Sequence, residues 1–369
     1  MIKTTTTKCS IKLAAAISLA LAAGTVGAAS TSFGDTKVTL GGYIKADIAN
    51  TNNGVAAQGN QMFVRQDAAG ATSAGDSTWD MTAAESRIWI KTDTNGLKTH
   101  IEGDFDIHSS SSNEFVSNSR YFRLRHAYLS NGAWLAGQTW STFMDLSHLS
   151  ELLDFGQHAS TLFVRQNQVR YTMPMGDSSL MLAIENSSTL ASGGGSTQVG
   201  SRPDLIARYN MKGDWGNASI GLLSTDQYNA ATQQSDGGIA FSLTAKIKTG
   251  GKNDVRLQYN GGTLGRYMGI ATYASFDGTK SVDSMGYSAA YRHWLSDKTR
   301  MNIMVSHTEA DDVGAELGVK DADTLHINYL WDVAPKTRLG VELNKTDVTA
   351  SSGATTDVQR IQFSARRIF

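Results

Sequence analysis

Apolar and polar residues alternate one by one in short segments that recur through most of this sequence. Successive side chains of a β-strand point to opposite faces, so each segment predicts a strand with one apolar and one polar face. In the first segment Leu40, Ile44 and Ile48 share one face. Lys45 and Asp47 lie on the other. The predicted strands are 37–48, 83–92, 97–107, 120–129, 133–140, 163–173, 179–186, 203–211, 218–225, 238–248, 254–260, 282–295, 300–307, 324–331, 337–345 and 358–369.

The connections between these segments also follow a rhythm, because short turns alternate with longer loops. The short turns lie around Gly96, Gly132, Pro174, Gly213, Gly250, Ser296 and Pro335. Outer-membrane barrels combine an even number of antiparallel strands with short periplasmic turns and long extracellular loops. A soluble β-sandwich also alternates but does not require this rhythm. We therefore predict an all-β fold, a 16-stranded antiparallel transmembrane β-barrel over residues 30–369, wide enough for an aqueous lumen.

Residues 1–29 have the organisation of a secretory signal peptide. Lys3, Lys8 and Lys12 precede an apolar run from 13 to 25, and small residues follow up to Ala29. The run is shorter than the ~20 residues of a membrane-spanning helix, which favours a cleaved signal over an anchor. The only cysteine, Cys9, lies in this segment, so the predicted mature chain has no thiol. It would keep 30 basic and 34 acidic groups, a balance that indicates no nucleic-acid partner.

The last predicted strand ends in Phe369, and Ile361, Phe363 and Ala365 share its face. A C-terminal phenylalanine on an amphipathic strand is the signal that bacterial barrel-assembly machinery recognises, although Arg367 stands where an apolar residue is usual. We expect that machinery as a partner during biogenesis. We also expect the protein to be an integral, multi-pass protein of the bacterial outer membrane, surrounded by its lipid.

Strand parity places a group of arginines on the inward face, mostly in the second to eleventh predicted strands. They are Arg87, Arg123, Arg125, Arg170, Arg208 and Arg256. Arginine stays charged, and its guanidinium pairs bidentately with carboxylate or phosphate. A series of arginines along a water-filled pore lowers the barrier for anions. The alternative interpretation is that they form structural ion pairs with Glu85, Glu102, Asp104 and Asp106, and both can hold at once.

The segment 141–162, between the fifth and sixth predicted strands, is too apolar for a loop that extends into solvent. It contains several leucines and phenylalanines together with the acids Asp145, Glu151 and Asp154. A long apolar loop tends to fold back onto the protein and is commonly functional. We predict that it folds into the lumen, narrows the pore and sets its acids opposite the arginines. The resulting transverse field would be screened by salt within about 8–10 Å.

Motifs in this region resemble a known family. RLRHAYL at 123–129, GQTWSTF at 137–143 and RQNQVRY at 165–171 are similar to the central block of the DcaP-like outer-membrane porins, as are VTLGGYIK at 38–45 and IEGDF at 101–105. The resemblance implies a trimeric porin that admits negatively charged substrates, dicarboxylates among them. Carried over by position, it implies that Arg123, Arg125, Arg165 and Arg170 line the constriction. Trp140 would begin the stretch to Phe155 that shapes it.

These observations predict a passive channel for small anionic solutes with an arginine-lined constriction. The alternative is a barrel that acts as an adhesin or receptor through its loops at 51–79 and 261–281. We expect no enzyme activity: His126, Ser141 and Asp145 supply the residue types of a hydrolase triad, but triads are recognised by geometry. The histidines show no close ligand spacing, so no metal or cofactor is expected.

Overall fold

The computed structural model describes residues 28–52, 77–107, 121–187, 189–190, 197–198, 200–229, 233–268, 280–311, 319–350 and 353–369. The predicted signal peptide lies outside the described residues except for its last two positions. Most of the two loops considered for an adhesin or receptor role also lies outside them. No helix in the described ranges is long and apolar enough to cross a membrane.

The described residues form antiparallel strands joined by turns and loops, with two short 3₁₀ helices, η1 (Leu146–His148) and η2 (Gly265–Met268). The strands are β1 (Ala29–Phe33), β2 (Thr36–Asn52), β3 (Thr78–Thr82), β4 (Arg87–Thr94), β5 (Leu97–Ile107), β6 (Tyr121–Asn131), β7 (Trp134–Trp140), β8 (Arg165–Met175), β9 (Ser178–Glu185), β10 (Thr189–Leu190), β11 (Thr197–Gln198), β12 (Asp204–Gly213), β13 (Gly216–Asn229), β14 (Gln234–Gly250), β15 (Asn253–Gly262), β16 (Ser284–Trp294), β17 (Thr299–Ala310), β18 (Val319–Ala334), β19 (Thr337–Ala350) and β20 (Thr355–Ile368).

All strands except the small β10–β11 pair belong to one sheet, which closes on itself because β2 pairs with β20. β3 and β4 pair with the two ends of β2 on the same side and share one position in the wall. β1 pairs with residues 36–40 of β2, beyond the end of β20, and continues the position of β20. The closed sheet therefore has sixteen strand positions, and the predicted 16-stranded antiparallel barrel is confirmed.

The turn between β4 and β5 illustrates how local sequence sets the hairpins. Asn95 and Gly96 have φ values of 51° and 90°, the pair of positive angles that a type I′ turn requires. The Gly96 N–H donates to the Asp93 carboxylate at 3.0 Å and stabilises the turn. Asn-Gly adopts these angles with little backbone strain. The two-residue turn therefore fixes the register of β4 against β5.

The two faces of the wall are inverted relative to a water-soluble protein. Large apolar side chains are exposed on the outer face, as at Ile44, Ile101, Leu182, Leu222, Ile303 and Leu343. Polar side chains of the same strands are buried on the inner face, as at Lys45, Asp104, Glu185, Thr225, Asn302 and Asn344. This is the arrangement of a barrel whose outer face meets lipid and whose inner face is polar.

Two local irregularities change which residues point inward. The predicted second strand, 83–92, is wrong at its start, because residues 83–86 form a break with a turn from Ala83 to Ser86. In β6, Glu102 pairs with His126 whereas Gly103 pairs with Leu124, so Arg125 is an extra residue. Such a β-bulge re-aims side chains. As a result the consecutive residues Arg125 and His126 are both buried.

Candidate functional site

The connection between β7 and β8, residues 141–164, contacts strands far along the chain, and we call it the lumen loop. The Thr142 N–H donates to Glu185 of β9 at 2.6 Å. At the opposite side, the N–H groups of Leu153 and Asp154 donate to the Glu342 carboxylate of β19 at 2.8 and 3.1 Å. Because these carboxylates lie on the polar face of the wall, the loop is attached to the inner face near its start and again near its middle.

The apolar residues of the lumen loop have partners in the inner wall. Phe143 and Leu162 are buried with Leu223 of β13 and Tyr267 of η2. The rings of Phe143 and Tyr267 meet edge to face, with their centroids 5.6 Å apart. The unusual apolar content that predicted a loop folded onto the protein is explained by these contacts.

The arginines on β4 and β6 form ion pairs with acids of the neighbouring strand. Arg123 donates two bonds of 2.9 Å to Asp104 and one of 3.0 Å to Asp106. Arg125 donates to Glu102 at 2.8 Å and to Asp104 at 2.7 Å. The Asp104 side chain is fully buried, and bidentate guanidinium–carboxylate bonds are the strong kind. These contacts agree with the alternative interpretation of the sequence, in which the two arginines form structural ion pairs.

Arg87 completes this group and explains the position of Phe155. Its guanidinium lies 3.5 Å from Glu85 and 3.6 Å from Glu102. The guanidiniums of Arg87, Arg123 and Arg125 lie 5.3, 5.7 and 5.3 Å from the centroid of the Phe155 ring. Cations near an aromatic ring are attracted by its quadrupole, so the lumen loop is attached here through an aromatic residue rather than an acid.

Glu151 and Asp154 of the lumen loop lie beside arginines of the C-terminal strands instead of facing β4 and β6. Arg300 donates two bonds of 2.6 Å to Glu151, Arg338 also binds it, and Arg292 lies 3.6 Å away. Burial alone would raise the pKa of Glu151, but the bonds from Arg300 and the charges of Arg338, Arg300 and Arg292 outweigh it and hold the pKa at about 2. The prediction that this acid lies opposite the arginines of the second to eleventh predicted strands is therefore wrong.

Asp154 is not exposed to the lumen at all. It is fully buried, accepts a hydrogen bond from the Gly156 N–H at 2.8 Å and lies 3.6 Å from Arg360. The sequence did contain a signal for the missed partners Arg292, Arg300 and Arg338. Each is next in sequence to an apolar residue of the outer face, namely Tyr291, Met301 and Leu339, so alternation places the arginines on the inner face.

Three other predicted arginines take part in no ion pair within the described ranges. The Arg165 guanidinium stacks on Trp140, 3.8 Å from the ring centroid, and its Nε and Nη2 atoms are buried without a hydrogen-bond partner there. Arg208 donates to the Met144 carbonyl, and Arg170 has an unpartnered Nε. Arg256 differs, because it binds Asp254 at 2.7 Å and the Leu149 carbonyl.

A cavity of about 760 Å³ lies between the lumen loop and the short-turn ends of β8, β9, β12, β13 and β14. We call it the cationic cavity, because its lining includes five basic side chains, namely Arg170, Arg208, Lys212, Lys246 and Lys248. Asp145 is the one acid among its lining residues. Its two oxygens already accept bonds from Ser147 and Thr244 at 2.7–2.9 Å. Burial raises the pKa of Asp145, but these bonds and the nearby Arg208 charge lower it overall.

The family can be stated from a comparison with known proteins. The family model described as DcaP outer membrane protein matches residues 8–366. The chain belongs to the DcaP outer membrane protein family. The resemblance seen in its central motifs is thus confirmed over nearly the whole chain, and so is the predicted location in the outer membrane. A search among curated proteins found no match.

Solved structures support the DcaP fold. The outer membrane channel DcaP of Acinetobacter baumannii superposes with a TM-score of 0.78 at 21% identity, covering 92% of this chain and 99% of that one. The anion-selective porin from Comamonas acidovorans superposes with a TM-score of 0.59 at 13% identity, covering 90% and 100%. The trimer form of OmpT from Vibrio cholerae gives 0.52 at 12% identity, covering 90% and 99%. At these identities the likeness concerns the fold.

The residue types of a hydrolase triad are not brought together in this DcaP-family barrel. His126 bonds to Thr139 at 2.9 Å, Ser141 accepts a bond from the Phe143 N–H at 3.0 Å, and Asp145 bonds to Ser147 and Thr244. Within the ranges that the structure covers, no group of three or more histidine, cysteine or acidic residues could hold a metal ion.

Proposed function

We propose that the protein is a passive outer-membrane channel for small anionic solutes, dicarboxylates among them. The observation that supports this most is the cationic cavity, where Arg170, Arg208 and Lys246 take part in no ion pair with a described residue. Fixed charges along an aqueous passage lower the barrier for ions of opposite sign. The cavity opens on the side of the short turns, which are periplasmic in outer-membrane barrels.

The ion-paired cluster on β2, β4, β5 and β6 contributes less to this selectivity. Its four cations, Lys45, Arg87, Arg123 and Arg125, are matched by five acids, Asp47, Glu85, Glu102, Asp104 and Asp106. Opposite charges at contact distance cancel beyond a few ångströms, and salt screens what remains within about 8–10 Å. Anion preference therefore rests on Arg165, Arg170, Arg208 and Lys246.

The preference for dicarboxylates rests on the family resemblance and on the spacing of the cations. Arg170, Arg208 and Lys246 come from three different strands, β8, β12 and β14, around one cavity. A solute with two carboxylates can contact two of them at once, whereas a monovalent ion meets one at a time. Arginine also offers bidentate hydrogen bonds that match a carboxylate.

We also propose that the channel is a homotrimer embedded in outer-membrane lipid through its apolar outer face. One structure with the same fold carries the description of a trimer form. Oligomers of identical subunits adopt closed symmetry, and a threefold arrangement of barrels would give conductance in steps of three. Assembly of the barrel in the membrane would depend on the bacterial barrel-assembly machinery.

Reconstitution in planar bilayers tests the proposal. In a salt gradient the reversal potential of the wild-type channel should shift toward the anion. The double variant Arg170→Gln/Lys246→Gln should reduce the anion-to-cation permeability ratio severalfold, because two unpaired charges of the cationic cavity are removed. A matched control neutralises two exposed cations elsewhere, Lys252→Gln/Lys345→Gln, and should leave the ratio unchanged. Cation selectivity of the wild type, or no conductance, would contradict the proposal.

A further inference from the structure

The cationic cavity contains an exposed apolar residue that anion attraction does not explain. Leu146, in η1 of the lumen loop, is 46% exposed, whereas its neighbours Phe143 and Met144 are 0% and 2% exposed. It lines the cavity together with Trp140. A passage built only for hydrated ions gains nothing from a leucine in contact with water, since that apolar surface stays unburied.

Apolar and cationic groups occupy different parts of the cavity lining. The lumen loop supplies Leu146 and Met144, with Trp140 just before it, and the wall supplies the cations. The two parts meet at Met181 of β9, whose sulfur lies 3.3 Å from Nη2 of Arg208. The lining therefore offers a ligand one apolar side and one positive side within a volume of about 760 Å³.

We propose that the cationic cavity is a binding subsite for organic anions with an apolar body, of which aromatic monocarboxylates are the simplest class. The carboxylate would lie among Arg170, Arg208 and Lys246, and the ring would cover Leu146 and the edge of Trp140. Ligand sites commonly combine an apolar lining with a few polar groups that fix orientation. The inference rests on the proposed function, because the same cations attract the anion into the cavity.

The subsite distinguishes ligands by their apolar part rather than their charge. Acetate and phenylacetate carry the same charge, so the cations alone would hold them equally. A phenyl ring that buries part of its surface against Leu146 and Trp140 gains about 25 cal/mol for each Å² removed from water. Partial burial of one ring therefore predicts about tenfold tighter binding of phenylacetate than of acetate.

The experiment measures block of the ion current in planar bilayers, with phenylacetate or acetate titrated on the short-turn side. In the wild type, phenylacetate should block at about tenfold lower concentration than acetate. Leu146→Ser should weaken the phenylacetate block about fivefold or more and leave the acetate block and the reversal potential unchanged. Because Leu146 is exposed, this substitution removes little packing, and unchanged heat-modified gel mobility verifies the fold.

A matched control keeps the same loop and the same chemical change. Leu152→Ser alters a lumen-loop leucine that lines a separate, smaller cavity beside Lys45 and Arg338, and it should not weaken the phenylacetate block. The subsite would be overturned if phenylacetate and acetate blocked equally, or if Leu146→Ser and Leu152→Ser weakened the phenylacetate block equally. In either case an anion-shifted reversal potential would still support the proposed function. A cation-shifted reversal potential would instead overturn the proposed function.

Discussion

At the scale of single residues, the buried carboxylate of Asp104 controls how its neighbours can vary. Two guanidiniums, from Arg123 and Arg125, share it, and its side chain has no exposed surface. A buried charge that loses its partner keeps its desolvation cost and loses the compensating attraction. The arginines of β6 therefore primarily stabilise the barrel wall by pairing with this buried carboxylate.

We predict that Arg125→Met destabilises the barrel by about 3–5 kcal/mol, the usual cost of breaking a buried ion pair from one side. The free energy of unfolding, measured by guanidinium titration in detergent, would report it. Lys345→Met is the matched control, because Lys345 and Asp347 form a pair of 2.9 Å with side chains 46% and 51% exposed. Its cost should be about 0–1 kcal/mol. Equal effects of the two substitutions would contradict this assignment.

Alternation in the sequence was sufficient to place Arg123 and Arg125 on the inner face, with nearby acids as possible partners. It did not decide which acid each arginine binds. Partners depend on the register of β5 against β6, which a bulge at Arg125 shifts by one residue. No local pattern announces that bulge. The break at 83–86, which brings Glu85 to Lys45, likewise interrupts a segment whose alternation predicts a continuous strand.

At the scale of elements, the lumen loop is fixed by different chemistry along its length. Carboxylates of the wall accept its N–H groups at Thr142, Leu153 and Asp154, whereas its own Glu151 binds wall arginines. Its apolar composition predicted that it would pack on the protein. Which acid meets which arginine could not be predicted, because Glu151 and Arg338 are separated by 187 residues.

We predict that Glu151→Gln loosens the lumen loop at this attachment and raises the noise of the open-channel current. The change also leaves Arg292, Arg300 and Arg338 with one acid fewer, so the anion-to-cation permeability ratio should rise. Glu309→Gln, the same change at an exposed glutamate whose partner is His307, should leave the permeability ratio unchanged. A lower ratio in Glu151→Gln would show that the glutamate does not offset the positive charge.

The same attachment has a defined pH range. Because the pKa of Glu151 is lowered to about 2, its contribution is complete above the ordinary glutamate pKa of about 4.3 and declines as the pH falls from there toward 2. Wild-type current noise should thus be constant from neutral pH to about pH 4.5 and increase only below it. An increase that begins near pH 6.5 would point to histidine instead.

At the scale of the whole molecule, the barrel depends on the seam between β2 and β20. The Phe369 N–H donates to the Gly42 carbonyl at 3.1 Å, and the Phe369 ring covers Gly42. A Cβ at Gly42 would lie 2.5 Å from that ring and 2.3 Å from the Arg87 carbonyl oxygen. Sixteen positions were predictable from the strand rhythm, but the division of one position between β1 and β20 was not, because β1 has only five residues.

We predict that Gly42→Val sharply reduces the yield of closed, heat-modifiable barrel, since backbone at Arg87 cannot move away without breaking β4. Ala46→Val is the matched control: Ala46 pairs with Ala365 in the same seam and is exposed on the outer face. It should assemble as the wild type does. Normal assembly of Gly42→Val would show that the seam tolerates a side chain there.

The seam also bears on the speed of folding. Asp47 and Gln362 bond across it at 2.9 Å although 315 residues separate them in the chain. Contacts between distant residues form slowly, because the entropy of closing the intervening loop is lost before the contact is made. Until the C-terminal segment arrives, one edge of β2 presents unpaired N–H and carbonyl groups, the kind of edge that recruits other chains into aggregates. Closure of the barrel by β20 therefore competes with pairing of the open β2 edge to a strand of another chain.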